Sequence, residues 1–170
     1  MSRKARNRMT KDTVPEGLSV PMALVDLLPV VFFGLSAVKA GNLFHSGLFV
    51  AGAVVCLLSG VVKVGWKLIA AVSQRNIWPM FVRMRVLMPV GFLTIFAALI
   101  VDRAGLNGEA MLAKLSGFPA CLFFLAGALG MILMLIFAFR MDSSDPKVNW
   151  MEQTVNSLAQ ICFFIGLMLA

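Results

Sequence analysis

The chain has no tyrosine, one histidine, three cysteines and only eight acidic residues in 170, and charged residues of either sign make up 14% of it. These scarcities remove several classes of function. His45 stands alone without a nearby thiol or carboxylate, so it cannot begin a metal site. Cys56, Cys121 and Cys162 lie inside apolar runs and form no C-x-x-C pair, which excludes a zinc knuckle and a dithiol redox motif and leaves them as small packing residues. The twelve methionines are dispersed without a repeated array, so they read as core filler rather than as soft-metal ligands. There is no paired-carboxylate motif and no nucleophile placed beside a base, so no named reaction is indicated and an enzyme is not the expected class. Alternating polarity is also missing, which excludes a transmembrane barrel.

What the chain has is hydrocarbon: 60% hydrophobic residues and a mean hydropathy of +0.91, well outside the range of water-soluble domains. Five apolar runs reach the roughly 20 residues that a helix needs to cross a hydrocarbon core about 30 Å thick. They cover Val20 to Val38, Gly47 to Val72, Met80 to Val101, Phe118 to Phe139 and Trp150 to Ala170. The expected fold is an all-α integral membrane protein, a bundle of five transmembrane helices. A basic start followed by an apolar run also resembles a signal peptide, but this run contains Asp26 and Pro29, exceeds a usual signal core and precedes four more spans, so it is read as the first span.

The distribution of the fifteen Lys and Arg residues sets the orientation. Arg3, Lys4, Arg6, Arg8 and Lys11 precede the first span; Lys63, Lys67, Arg75, Arg83 and Arg85 surround the second connection; Arg140 and Lys147 flank the fourth. Only Lys39, Arg103 and Lys114 belong to the other side. This positive-inside pattern places the N-terminus in the cytoplasm and the C-terminus outside, with the inner membrane of a bacterium as the expected location. It also explains the net charge of +7 without a nucleic acid partner. Residues 1–17 read as a basic cytoplasmic arm able to meet anionic lipid, and residues 18–170 as one transmembrane domain. Trp66, Trp78 and Trp150 fall near the cytoplasmic ends of their spans and are expected to anchor there in the headgroup layer. In the third connection a short amphipathic helix is expected from Glu109 to Leu115, with Ser116 capping the fourth span.

Charge within a bilayer costs about 2.5 to 3.5 kcal/mol per residue at its centre, so intramembrane polar residues need a reason. Asp26 lies six residues into the first span, about 9 Å deep at 1.5 Å per residue. Lys63 reaches a matching depth from the second span, which makes an Asp26–Lys63 pair geometrically possible. Lys67, one turn nearer the headgroups, is expected to snorkel unaided. On a helical wheel Gly52, Cys56, Gly60, Lys63 and Lys67 form one stripe, a small-residue packing face. In the fifth span Asn149, Glu152, Gln153, Asn156 and Gln160 all project within about 60° of one direction. The outer halves carry no comparable polarity, and Pro29 and Pro89 offer kinks in the first and third spans.

These features define the functional expectation: a small transporter, channel-like protein or solute-binding membrane subunit with a polar cavity facing the cytoplasm. Asp26, Lys63, Asn156, Gln160 and Glu152 are the candidates for ligand binding or ion coupling. Lys67, Arg83, Arg85 and Arg140 form a cytoplasmic rim for anionic headgroups. The expected partners are the bilayer, a small polar solute or a lipid, and a second copy or a membrane partner; no metal and no cofactor are implied. The alternatives are a structural subunit of a membrane complex, whose polar faces bind a partner helix, and an interfacial lipid-binding protein or enzyme.

Overall fold

A computed structural model describes residue 14 and residues 18–102, 108–141 and 145–170. The basic arm expected over 1–17 therefore falls outside the described residues, Val14 excepted. The described elements are all helical: α1 (Val20–Val25), α2 (Leu27–Phe44), α3 (Gly47–Ser73), α4 (Trp78–Val101), α5 (Gly108–Ser116), α6 (Ala120–Arg140) and α7 (Pro146–Leu169).

Local chemistry sets the helix ends. Ser19 caps α1 by accepting from the Met22 amide, and Ser46 caps α3 by accepting from the Phe49 amide at 3.0 Å. Asp145 caps α7, with Pro146 in the first turn, where its missing N–H costs nothing. His45 (φ 48°) and Gln74 (φ 52°) end α2 and α3 in the left-handed conformation. The break between α1 and α2 falls at Asp26, three residues before Pro29. Proline has no amide to bond the carbonyl four residues back, here that of Val25, so the helix parts where α1 ends. Pro89, by contrast, lies inside a continuous α4.

Four helical stretches are long and apolar enough to cross a membrane: Val20–Asn42, which runs through α1 and α2, Gly47–Ser73, Trp78–Val101 and Ala120–Phe137. Their surfaces carry exposed Leu24, Val38, Leu93, Ile100, Leu125 and Leu135, side chains that suit hydrocarbon and not water. This is the character of an integral membrane protein. Helix α7 has 24 residues but carries Lys147, Glu152 and the Asn/Gln face, which set it apart from the other four.

The helices pack in the order α4, α3, α1–α2, α7, α6, and α5 rests on α6. At the α3–α4 contact the backbones nearly touch: a Cβ on Gly52 would lie 2.8 Å from the Ile95 nitrogen, and one on Gly91 2.8 Å from the Cys56 nitrogen. Ser59 donates to the Met84 carbonyl at 2.9 Å across the same contact. The stripe read as a single packing face is in fact divided between two neighbours. Gly52 and Cys56 meet α4, while Gly60 meets Val30 of α2. Ala40, Phe49, Ala53 and Ala98 form a buried cluster toward the opposite end from Asp26, and Ser46 donates to Asp102 there.

Two local expectations are corrected. Ser116 does not cap the fourth span; it ends α5, and α6 begins after Pro119, because Gly117 and Pro119 turn the chain between the two helices. Trp66 is not a lipid-facing anchor. It is 3% exposed, stacks on Phe81 of α4 and donates Nε1–H to Asn76 at 3.0 Å. Its indole is needed between α3 and α4, and the partner that satisfies its N–H comes from the α3–α4 connection rather than from headgroup water.

Candidate functional site

Asp26 sits at the α1–α2 break. Its side chain projects into the space between α3 and α7 and is 1% exposed. From α3, Lys63 and Lys67 lie one helical turn apart and grip the carboxylate from two sides. Lys63 Nζ donates to Oδ1 at 2.9 Å, and Lys67 Nζ lies 2.9 Å from Oδ2. From α7, Gln153 completes the group with its amide oriented as the neighbouring charges require: Nε2 donates to Asp26 Oδ1, and Oε1 accepts from Lys67 Nζ at 2.9 Å. Oδ2 has the Lys67 ammonium beside it. One carboxylate thus ties together α1–α2, α3 and α7.

The burial of the two lysines reverses the expected order. Lys67 is the sealed one, with 7% of its side chain exposed, whereas Lys63 retains 31%. The snorkelling expectation for Lys67 is therefore corrected, and helix geometry supplies the reason. Every Cα–Cβ bond tilts toward its helix N-terminus, so a lysine near the C-terminal end of α3 starts out pointing away from that end. Snorkelling would require the chain to double back, while Asp26 and Gln153 lie in the direction it already faces.

Gln153 was legible as part of the α7 polar face but was not among the residues singled out. Its neighbour Glu152 is half-buried and close enough to interact with both lysines. Asn156 is half-buried on the same helix. Gln160 is turned elsewhere: its Nε2 lies 3.9 Å from Met131 Sδ on α6, away from the Asp26 group. The structure thus brings Asp26, Lys63, Lys67 and Gln153 into contact, holds Glu152 beside them, and leaves Gln160 outside. Of the rim residues, Arg83, Arg85 and Arg140 are exposed, and the Arg85 guanidinium lies 4.6 Å above the Phe81 ring, extending the Trp66–Phe81–Trp78 stack.

The chemistry available to this group is the holding of anions and of protons. Three charged side chains meet within ion-pairing distance, two cationic and one anionic, and Glu152 adds a second carboxylate at the edge. No set of three His, Cys, Asp or Glu side chains that could hold a metal occurs among the described residues. A separate cavity of about 260 Å³ lies between α2 and α3, lined by apolar and small residues including Gly34, Gly41, Val50 and Leu57. It contains none of the charged residues. Comparison with family models, with curated proteins and with solved structures finds no match.

Proposed function

We propose that the chain is a small transport-class membrane protein, a carrier, channel-like unit or solute-binding subunit, whose working site is the Asp26–Lys63–Lys67–Gln153 group. The observation that carries this reading is the uneven sealing of the group. Asp26 and Lys67 are withdrawn from solvent, while Lys63, bonded to the same carboxylate, keeps almost a third of its side chain accessible. Two cations on one carboxylate leave a positive charge beyond what a simple structural pair needs, and intramembrane ionisable residues mark functional sites by default. In this reading α7 is a fifth span: its 24 residues extend about 36 Å at 1.5 Å per residue, and its polar face is turned inward by packing against α2 and α6. The N-terminus is cytoplasmic, the C-terminus lies outside, and the membrane is the inner membrane of a bacterium, all supported by the positive-inside pattern.

Osmotic swelling of proteoliposomes tests the function against a panel of potassium phosphate, sodium acetate, sodium chloride and glycerol. Swelling faster than in protein-free vesicles for at least one solute, reduced by Lys63→Gln, is the expected outcome. The second reading, a structural subunit, is favoured by one observation: Asp26 is already held by groups of its own chain. Equal swelling with and without protein for every solute would transfer the support to it.

A further inference from the structure

We infer that the Trp78 end of α4, its cytoplasmic end in the proposed topology, holds one anionic phospholipid whose phosphate is taken by Arg85 beside an aromatic shelf of Trp78 and Phe81. The inference is separate from the transport reading and stands whether or not the Asp26 group passes a solute.

Charge supplies the first step. Between Asp26 and Asp102 the chain has no acidic residue, yet it has Lys39, Lys63, Lys67, Arg75, Arg83 and Arg85. Lys63 and Lys67 are held by Asp26. Arg75 lies in the α3–α4 connection and Arg83 and Arg85 in the first turns of α4. All three are exposed, and no acidic side chain among the described residues pairs with any of them. A guanidinium stays charged at any pH a cell reaches, and the described residues offer these three no counter-charge. In a membrane the anion at this level is the phosphate of a headgroup, and basic residues beside a span attract anionic lipid.

Geometry singles out Arg85 from the three. Trp78, Phe81 and Arg85 follow one another by three and four residues and share one face of α4. Arg83, at nearly the same depth, projects about 160° away from Arg85. The Arg85 Cα lies about 10 Å along the helix from Trp78. Its guanidinium nevertheless sits 4.6 Å above the Phe81 ring, one turn back towards the Trp78 end. Phe81 is a fixed support, because it is buried and its ring centroid lies 5.2 Å from those of both Trp66 and Trp78. The cation–π contact holds the Arg85 head in place without using its N–H donors. A planar fork held this way meets a phosphate through paired N–H···O bonds. Exposed Phe92 and Phe96 continue the same face deeper into the span, so a headgroup on Arg85 lays its acyl chains along apolar rings.

Native mass spectrometry of the full chain in neutral detergent, with equal amounts of phosphatidylglycerol and phosphatidylcholine added, tests the inference. The wild type should carry one phosphatidylglycerol in clear excess over phosphatidylcholine. Arg85→Gln should lower that excess about fivefold, the weight of one basic residue beside an anionic headgroup. Arg83→Gln should lower it by less than about twofold, since Arg83 is equally charged but has no aromatic shelf. Arg85→Lys keeps the charge but loses the fork, and should lower the excess by about twofold or more; it keeps the test decisive if Arg85→Gln does not fold. Equal binding of the two lipids by the wild type, equal losses from Arg83→Gln and Arg85→Gln, or wild-type binding by Arg85→Lys would overturn the inference. A mass of two chains without lipid would give the shelf to a second copy and overturn it as well.

Discussion

Replacing Asp26 by Asn perturbs the cluster most sharply. The carboxylate is 1% exposed and lies 2.9 Å from each of two ammonium groups, so Asn leaves two cations one turn apart on α3 with only a dipole between them. Removing one partner of a buried ion pair costs about 3 to 5 kcal/mol, chiefly because the other charge is stranded. The lysines do not share this equally. Lys67 is sealed and cannot rehydrate, whereas Lys63, 31% exposed, can, and belongs with surface pairs worth about 1 kcal/mol or less. Asp26→Asn should therefore cost about 3 to 5 kcal/mol. Lys67→Met should cost about 1 to 3 kcal/mol, because Asp26 keeps Lys63 and Gln153 but loses the charge beside Oδ2. Lys63→Met should cost about 1 kcal/mol at most. Combining Asp26→Asn with Lys67→Met removes the stranded cation and should recover about 1 to 3 kcal/mol relative to the sum of the single changes. Denaturant unfolding in detergent, followed by tryptophan fluorescence, measures all four. Additive single and double variants, or a greater loss for Lys63→Met than for Lys67→Met, would refute the reasoning.

Three further outcomes are expected. Gly91→Ala should cost about 1 to 3 kcal/mol by the same unfolding assay, because its methyl group would press on the Cys56 backbone and side chain and force α3 and α4 apart. Ser46→Ala should cost about 1 kcal/mol, since Ser46 both caps α3 and donates to Asp102, and Asp102→Asn should cost less because the amide retains an acceptor oxygen. A cysteine placed at Asn156 in a background lacking the three native cysteines should react with a small membrane-impermeant thiol reagent from the cytoplasmic side only; equal labelling from both sides would contradict the proposed topology.

Asp26 and Lys63 could be paired from sequence because depth in a span is a simple function of residue count, and both counts run from the same membrane face. The break at Asp26 was foreshadowed by Pro29, whose missing amide acts four residues back. The short helix α5 was visible as an amphipathic stretch and extends one residue beyond the expected limits at each end. The roles of Lys67 and Gln153 were harder to read, for different reasons. Lys67 was assigned by its Cα depth, but its ammonium lies several bonds away in a direction set by the Cα–Cβ tilt. Gln153 and Glu152 occupy the same polar face yet point 100° apart, so periodicity defines the face without choosing which of the two meets Asp26. Beyond that pair, which helices are neighbours was not legible: small residues mark close approach but not the partner, and the stripe on α3 serves α4 at Gly52 and α2 at Gly60.

The most direct measurement on the working role of the cluster is solute-driven swelling of Lys63→Gln proteoliposomes, at the same amount of folded protein as wild type and alongside the unfolding stability of the variant. Loss of swelling with stability lowered by about 1 kcal/mol or less is the expected result, because Lys63 is the exposed cation and Lys67 continues to hold Asp26. Unchanged swelling, or a loss of swelling that only tracks the loss of folded protein, would contradict a working role for the site and leave the charges as a clasp between helices.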